Sequence, residues 1–247
     1  MASRKGNPVH GWVILDKPEG LSSSKAVGLV RRVFTAAKAG HGGTLDPLAT
    51  GILPIALGEA TKTVSFAMQG AKSYEFTLRF GAQTSTDDRE GEVIAQSDVR
   101  PDASAIAAML PRFTGDISQR PPIFSAIKVD GQRAYDIARK AVADGLETLP
   151  ELESRQVRID ELSLREAGPE EARFFVACGK GTYIRSLARD LATALGSVGH
   201  VSLLRRLSVG PFTESDAISL DFLEKLEHSS AAFEHLKPVT SALDDIP

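Results

Sequence analysis

Gly40-His41-Gly42-Gly43-Thr44-Leu45-Asp46-Pro47-Leu48-Ala49-Thr50-Gly51 puts four glycines, a proline and one carboxylate into twelve residues. The composition predicts a loop, and a loop of that length inside a compact domain tends to be functional. Glycine lets a backbone approach a ligand closely. Pro47 fixes the chain after the acid and biases Asp46 itself towards an extended conformation. An acid held in this way could serve as a nucleophile or a base. Asp-Pro is equally an ordinary turn signal, and spacing alone leaves both readings open.

Working outward, Trp12 to Leu15 reads as a short buried strand ended by a turn at Asp16-Lys17-Pro18-Glu19-Gly20. Ser22 or Ser23 caps a helix running to about Phe34, with Val27, Val30 and Phe34 on one face. Tyr74, Phe76, Leu78 and Phe80 alternate with Glu75, Thr77 and Arg79, the pattern of a half-buried strand. Thr84 to Gly91 reads as a polar turn and Asp102 to Leu110 as a short helix. An Asp130-Gly131 turn precedes a basic helix from about Arg133 to Ala143. Val157 to Leu164 and Arg173 to Cys178 read as strands, Thr182 to Leu195 as a helix, and Val201 to Leu207 as a short element. Two weak helices fit the tail, from about Leu220 to Lys225 and from Ser230 to Leu236. Strands and helices mix without a βαβ rhythm. This predicts an α+β fold with a mixed, mostly antiparallel sheet flanked by helices.

The 247 residues are 42% hydrophobic with a net charge of -3, which excludes disorder across the chain. No apolar run approaches the roughly 20 residues of a membrane helix. The polar start and the single cysteine, Cys178, point to a cytoplasmic protein. The small net charge hides three basic segments: residues 1–62 carry +4, 119–140 carry +3 and 178–210 carry +4, against -6 in the tail 211–247. If the three segments meet in space they form a polyanion-binding face; otherwise they are solvated surface charge. The five histidines show no metal-ligand spacing. Gly179-Lys180-Gly181 lacks the rest of a Walker A loop, and no dinucleotide fingerprint or nucleophile elbow is present. Arg185 and Arg189 share one face of a helix that opens at Tyr183. An arginine beside an aspartate keeps it ionised and an aromatic ring can stack on a base. An exposed arginine and a core tyrosine are the plainer reading of the same residues.

Taken together, these stretches resemble the TruB family, the bacterial synthases that convert uridine 55 of the tRNA TΨC loop to pseudouridine. The resemblance runs from Gly11 to about Pro211. It is carried by Asp16-Lys17-Pro18-Glu19-Gly20-Leu21-Ser22-Ser23, by Gly40 to Gly51 with Leu57-Gly58-Glu59-Ala60-Thr61-Lys62, and by Lys72-Ser73-Tyr74. Gln119-Arg120-Pro121-Pro122, Gly131-Gln132-Arg133-Ala134-Tyr135, Lys180 to Leu187 and Leu204-Arg205-Arg206 complete it. Gly42 and Phe124 depart from it, standing where the family commonly has Thr and Tyr.

The resemblance implies a set of roles. Asp46 would be the nucleophile, Arg185 would pair with it, and Tyr74 would stack on the target uracil and handle a proton. Tyr183 would pack against the base or the nucleophile. Leu204 would hold the uracil edge through its backbone, and His41 would help fill the space left by the flipped base. Lys17 and Pro18 would support the catalytic loop. The partner would be the T-arm of tRNA. No cofactor, metal, membrane or obligate protein partner is expected, and the chain is expected to act as a monomer. A tRNA-folding chaperone with secondary catalysis is the alternative, separable by an Asp46→Asn variant. The expected division is a catalytic domain over 1–211, containing an RNA-gripping insertion at 119–150, and a helical extension over 212–247. The insertion is expected to be mobile without RNA, and the small C-terminal RNA-binding domain of PUA type is expected to be absent.

Overall fold

In the computed structural model the apolar run after His10 is a strand, β1 (Gly11–Lys17), with Trp12, Val13, Ile14 and Leu15 all buried. The structure describes residues 6–125, 127–129, 132–134, 137–138, 140, 152–227 and 229–243. The chain divides into two units, residues 1–75 with 203–247 and residues 76–202.

In the first unit, α1 (Ser23–Val33) begins at Ser22, whose hydroxyl accepts the Lys25 N–H at 3.3 Å, and buries Ala26, Val30 and Val33. Next come β2 (Ala39–His41), β3 (Thr50–Leu57) and α2 (Val64–Gln69). β3 is the hub. It runs antiparallel to the whole of β1, with Lys17 opposite Gly51, and to β2, with His41 opposite Ile55. Trp12, Ile14, Ile52, Ala56, Val209 and Phe212 share one apolar cluster, and the Trp12 and Phe212 rings lie 5.3 Å apart. The tail closes on the same strand: Trp12 and Lys237 exchange backbone hydrogen bonds at 2.9 and 2.8 Å.

In the second unit, the strand β4 (Lys72–Phe80) enters from the first unit at Phe76, and Phe76 stacks on Phe174 at 5.1 Å. β5 (Ala82–Thr84) and β6 (Val93–Gln96) form a hairpin, followed by α3 (Ala103–Met109) and β7 (Gly115–Gln119). β8 (Lys128–Val129) pairs with β9 (Gln132–Arg133). β10 (Arg155–Ala167) runs antiparallel to both β7 and β11 (Glu171–Cys178). α4 (Ile184–Ala194) buries Leu187, Ala188, Leu191 and Ala192.

β12 (Gly199–Val209) starts in the second unit and ends in the first, where Arg205 and Arg206 run parallel to Thr50 and Gly51 of β3. β13 (Phe212–Thr213) folds back on it, and β14 (Ile218–Ser219) lies parallel to β1 ahead of α5 (Leu220–Lys225). The pairings are mostly antiparallel, with parallel exceptions, as the mixed pattern of the sequence implies.

Four elements depart from expectation. Asp16 and Lys17 continue β1 instead of turning, because both have a ladder partner in β3. The glycine-rich loop is shorter than expected: β2 and β3 claim its ends and leave residues 42–49. The short element at Val201 to Leu207 is part of an eleven-residue strand. The helix expected from Thr182 starts at Ile184, with Tyr183 as its cap. Of the insertion at 119–150, residues 126, 130, 131, 135, 136, 139 and 141–150 lie outside the described residues, which takes in the Asp130-Gly131 turn and much of the basic helix. Gln119, Pro121, Pro122, Ser125, Ala134 and Ala138 are buried.

Gly51 sits where β1, β3 and β12 meet, at φ +96°, and a Cβ there would strike the backbone carbonyl of Arg206. Gly51→Ala is expected to destabilise the protein by at least about 2 kcal/mol, read as a lowered urea midpoint, because left-handed strain adds to the clash.

Candidate active site

Asp46 is half-buried in the 42–49 loop, and the backbone around it is held from several sides. Before it, the Gly42 N–H donates to the Pro54 carbonyl at 2.8 Å. Leu45 is gripped at both ends by one hydroxyl: its N–H donates to Ser23 Oγ at 2.8 Å, and Ser23 Oγ donates to its carbonyl at 2.9 Å. After it, the Pro47 carbonyl accepts from the Gly20 N–H at 2.8 Å and from Lys17 Nζ at 3.2 Å. The Asp46 carbonyl itself accepts the Ala49 N–H at 3.1 Å. Lys17 is fully buried, and its ammonium also donates to the carbonyls of Pro18 (2.8 Å) and Leu21 (2.7 Å).

Arg206 takes two further carbonyls of the loop and one of β3. Its Nη2 donates to Gly43 at 3.1 Å, Nη1 to Thr44 at 3.3 Å and Nε to Ile52 at 2.7 Å. The guanidinium is buried, which pulls its pKa down, while the Tyr74 side chain, through charge and a hydrogen bond, and the charge of Asp46 act to raise it. The first unit therefore brings a carboxylate, a phenol and a buried cation into one electrostatic neighbourhood. Tyr74 and Leu204 are buried too, and the Leu204 carbonyl accepts from Thr50 Oγ1 at 3.5 Å. His41, at the end of β2, has a buried Nδ1 without a hydrogen-bond partner. Burial first, and then the charge of Arg206, lower its pKa, so the ring is neutral at neutral pH.

Tyr183 and Arg185 lie in the second unit. The Tyr183 N–H, at the cap of α4, donates to Gln119 Oε1 at 2.8 Å. Arg185 is buried and donates to the carbonyls of Thr86 (2.8 Å) and Phe124 (2.9 Å), with Asp88 at 3.7 Å. One turn on, Arg189 pairs with Asp87 at 2.8 Å and donates to the Arg120 carbonyl at 2.9 Å. The two arginines do share a face, and they use it to tie the 84–91 turn and the 120–124 segment to the helix. That turn reads as merely polar in sequence, yet Asp87 and Asp88 are both buried.

The residues missed by sequence reading are therefore Arg206, Ser23, Asp87 and Asp88. For Arg206 a signal existed: it stands two residues from Leu204 on a strand, hence on the same face. The basic segments also need correction. Lys17, Arg185 and Arg206 point inward, and Arg205 is engaged by Asp16 at 3.0 Å and Glu214 at 2.6 Å, so these four contribute little to any surface field. Among the described residues no group of His, Cys, Asp and Glu is placed to hold a metal, and no helix is long and apolar enough to cross a membrane.

A carboxylate on a clamped loop, with a cation and a phenol behind it, is equipped for covalent or proton-transfer chemistry on a bound substrate. The known proteins narrow the class. Residues 31–184 match the TruB family pseudouridylate synthase (N terminal domain), and residues 185–244 match the tRNA pseudouridylate synthase B C-terminal domain. The chain is 56% identical over 245 residues to the tRNA pseudouridine synthase B of Rhodospirillum rubrum, covering 99% of this chain and 78% of that protein. The enzyme of the same name from Caulobacter vibrioides is 54% identical, with 77% of its length covered. Among solved structures, a Cbf5-Nop10-Gar1 complex superposes with a TM-score of 0.73 at 29% identity, over 96% of this chain and 62% of that one. The chain belongs to the TruB family of pseudouridylate synthases, and it is an isomerase.

Two outcomes follow from the loop. Ser23→Ala strips both buried Leu45 backbone groups of their partner and is expected to lower stability by about 1–3 kcal/mol in a thermal melt. For His41, the unfolded chain takes up a proton near the ordinary value of 6.5 and the folded chain only at lower pH. The contribution is thus fully present above that value and is lost as pH falls below it. His41→Asn is expected to flatten the fall of the urea midpoint between neutral pH and about pH 5.

Proposed function

We propose that the chain converts uridine 55 in the TΨC loop of tRNA to pseudouridine, with the target base flipped out of the loop and Asp46 as the nucleophile. The observation that carries this reading is the clamped loop. The loop around Asp46 is held through its main chain by Lys17, Ser23 and Arg206, so the backbone that carries the carboxylate is in place before any substrate arrives. The tRNA in the reading comes from the relatives, which bear the name tRNA pseudouridine synthase B.

The reaction breaks the bond from ribose C1′ to uracil N1 and forms one from C1′ to C5. N1 gains a proton and C5 loses one, so the sum is an isomerisation. Extracting a base costs a few kcal/mol. Stacking on the Tyr74 ring, at about 1–3 kcal/mol, and filling of the vacated space by His41 offset that cost. Leu204 lines the base pocket. Tyr183 and Arg185 enter on the family resemblance, Tyr183 against the base and Arg185 as the cation that keeps Asp46 ionised.

The test is pseudouridine mapping on an unmodified tRNA transcript, by carbodiimide labelling and primer extension, with wild type and Asp46→Asn. The expected result is one new stop, at position 55, with wild type alone. A stop elsewhere overturns the position, and a stop with both proteins overturns Asp46 as the nucleophile.

A further inference from the structure

Tyrosine is a poor residue with which to begin a helix, and α4 begins at one. Tyr183 stands at the N-cap, and its side chain offers the first turn no capping hydrogen bond. Three residues on, where a glutamate or glutamine side chain would reach back to the N–H of the capping residue, stands Ser186. Its hydroxyl is buried without a hydrogen-bond partner, so it does not serve that N–H. The missing half of the motif comes from another strand. Gln119, the last residue of β7, is 2% exposed, and its Oε1 accepts the Tyr183 N–H at 2.8 Å. Its register is fixed by Arg155, opposite it on β10. The chain that follows stays on the helix: the Arg120 carbonyl accepts from Arg189 Nη2 at 2.9 Å, and the Phe124 carbonyl from Arg185 Nη2 at 2.9 Å. Gln119 Nε2, by contrast, is buried with no partner. A buried amide with one group unmet is a costly way to fill space, and an apolar side chain of the same length would fill it without that cost. What the amide adds is an acceptor for Tyr183.

We propose that Gln119 is a positioning residue that acts through Tyr183. By accepting the Tyr183 N–H it fixes the backbone from which the ring projects, at a helix start that the ring itself cannot cap. This rests on the reading that Tyr183 packs against the target base, and deepens it. The carbonyls of Arg120 and Phe124 hold the rest of the segment to arginines further along α4. Removing the Gln119 acceptor therefore frees the Tyr183 end and leaves those contacts in place. A residue that merely stapled β7 to the helix would add its loss to that of any Tyr183 variant. A residue working through the ring has nothing left to lose once the ring is gone.

The experiment measures single-turnover release of tritium from uracil C5 of a labelled tRNA transcript, with the tRNA Kd by filter binding. Wild type is compared with Gln119→Met, Gln119→Glu, Tyr183→Leu and the double variant Gln119→Met with Tyr183→Leu. Methionine keeps the length and lacks the acceptor; glutamate keeps an acceptor in either protonation state. Gln119→Met is expected to slow the reaction about tenfold with a Kd within about twofold of wild type. Gln119→Glu should stay within about threefold of the wild-type rate, and the double variant within about twofold of Tyr183→Leu alone. Fluorine NMR reports the ring itself, because the chain has only three tyrosines, Tyr74, Tyr135 and Tyr183. With fluorotyrosine incorporated, Gln119→Met should move the Tyr183 resonance and leave that of Tyr74. Losses that multiply, a wild-type rate in Gln119→Met, or a Gln119→Glu as slow as Gln119→Met overturn the proposal. If Tyr183→Leu is too slow to show a second loss, the resonance decides, and an unmoved Tyr183 signal overturns the proposal. If circular dichroism shows Gln119→Met unfolded, Gln119→Asn, whose amide is one methylene short of reach, takes its place in the same comparisons. A wild-type rate in Tyr183→Leu would instead overturn the reading underneath. A slow Tyr183→Leu with multiplying losses would overturn this inference alone.

Discussion

The bonds from the Arg206 guanidinium to the carbonyls of Gly43, Thr44 and Ile52 are the constraint on which the first unit turns. Burying a cation costs several kcal/mol unless its donors are met. Here they are met largely by main-chain oxygens, which an irregular loop has in excess because it forms no ladder of its own. The exchange settles two problems together. The Gly43 and Thr44 carbonyls gain partners, and the loop is tied to a fixed point on β12. The loop is thereby anchored to the sheet beside it.

Lys17 and Ser23 repeat this logic from the other end of the chain. A buried ammonium collects the carbonyls of Pro18, Leu21 and Pro47, and a buried hydroxyl bridges both polar groups of Leu45. In the second unit Arg185 and Arg189 gather the carbonyls of Thr86, Phe124 and Arg120 in the same way. In each case a polar side chain, most often a long cationic one, ties down irregular backbone at a place where no regular element reaches. The ion pairs on the surface, such as Arg32 with Glu224 at 3.3 Å, are exposed and add little beside these.

The strands and helices were legible because burial leaves a period in the sequence. Tyr74 to Phe80, Ser22 to Phe34 and the apolar stripe of the 184–194 helix follow it closely. The loop was legible as a loop, with Asp46 as its one acid. What held the loop was not, because the partners are single polar atoms from residues 17, 23 and 206, and no periodicity marks them. Arg205 and Arg206 look alike as letters, yet adjacent positions on a strand face opposite ways, so one meets carboxylates in the half-exposed layer and the other enters the core. Asp87 and Asp88 were hidden for the converse reason. Two aspartates in a glycine-flanked polar stretch read as solvated turn residues until the helix that supplies their arginines is in view.

The sources of these contacts also constrain how the site comes into being. Asp46 belongs to the part of the chain that matches the N-terminal family segment, while Arg206 belongs to the part that matches the C-terminal one. Between them the chain leaves the first unit in β4 and returns in β12. The 42–49 loop therefore cannot reach its clamped form when only the residues before it have folded. It needs β12 in register against β3, which sets Arg206 opposite Gly51, and it needs the tail that closes over Trp12 to seal the same core. Closing so long an excursion is entropically costly, and contacts made late in such a closure are supported by the rest of the fold instead of supporting it. A carboxylate whose loop is held by distant parts of the chain need not itself contribute to stability. It stays half-buried, so its backbone is held while its oxygens remain within reach of a substrate.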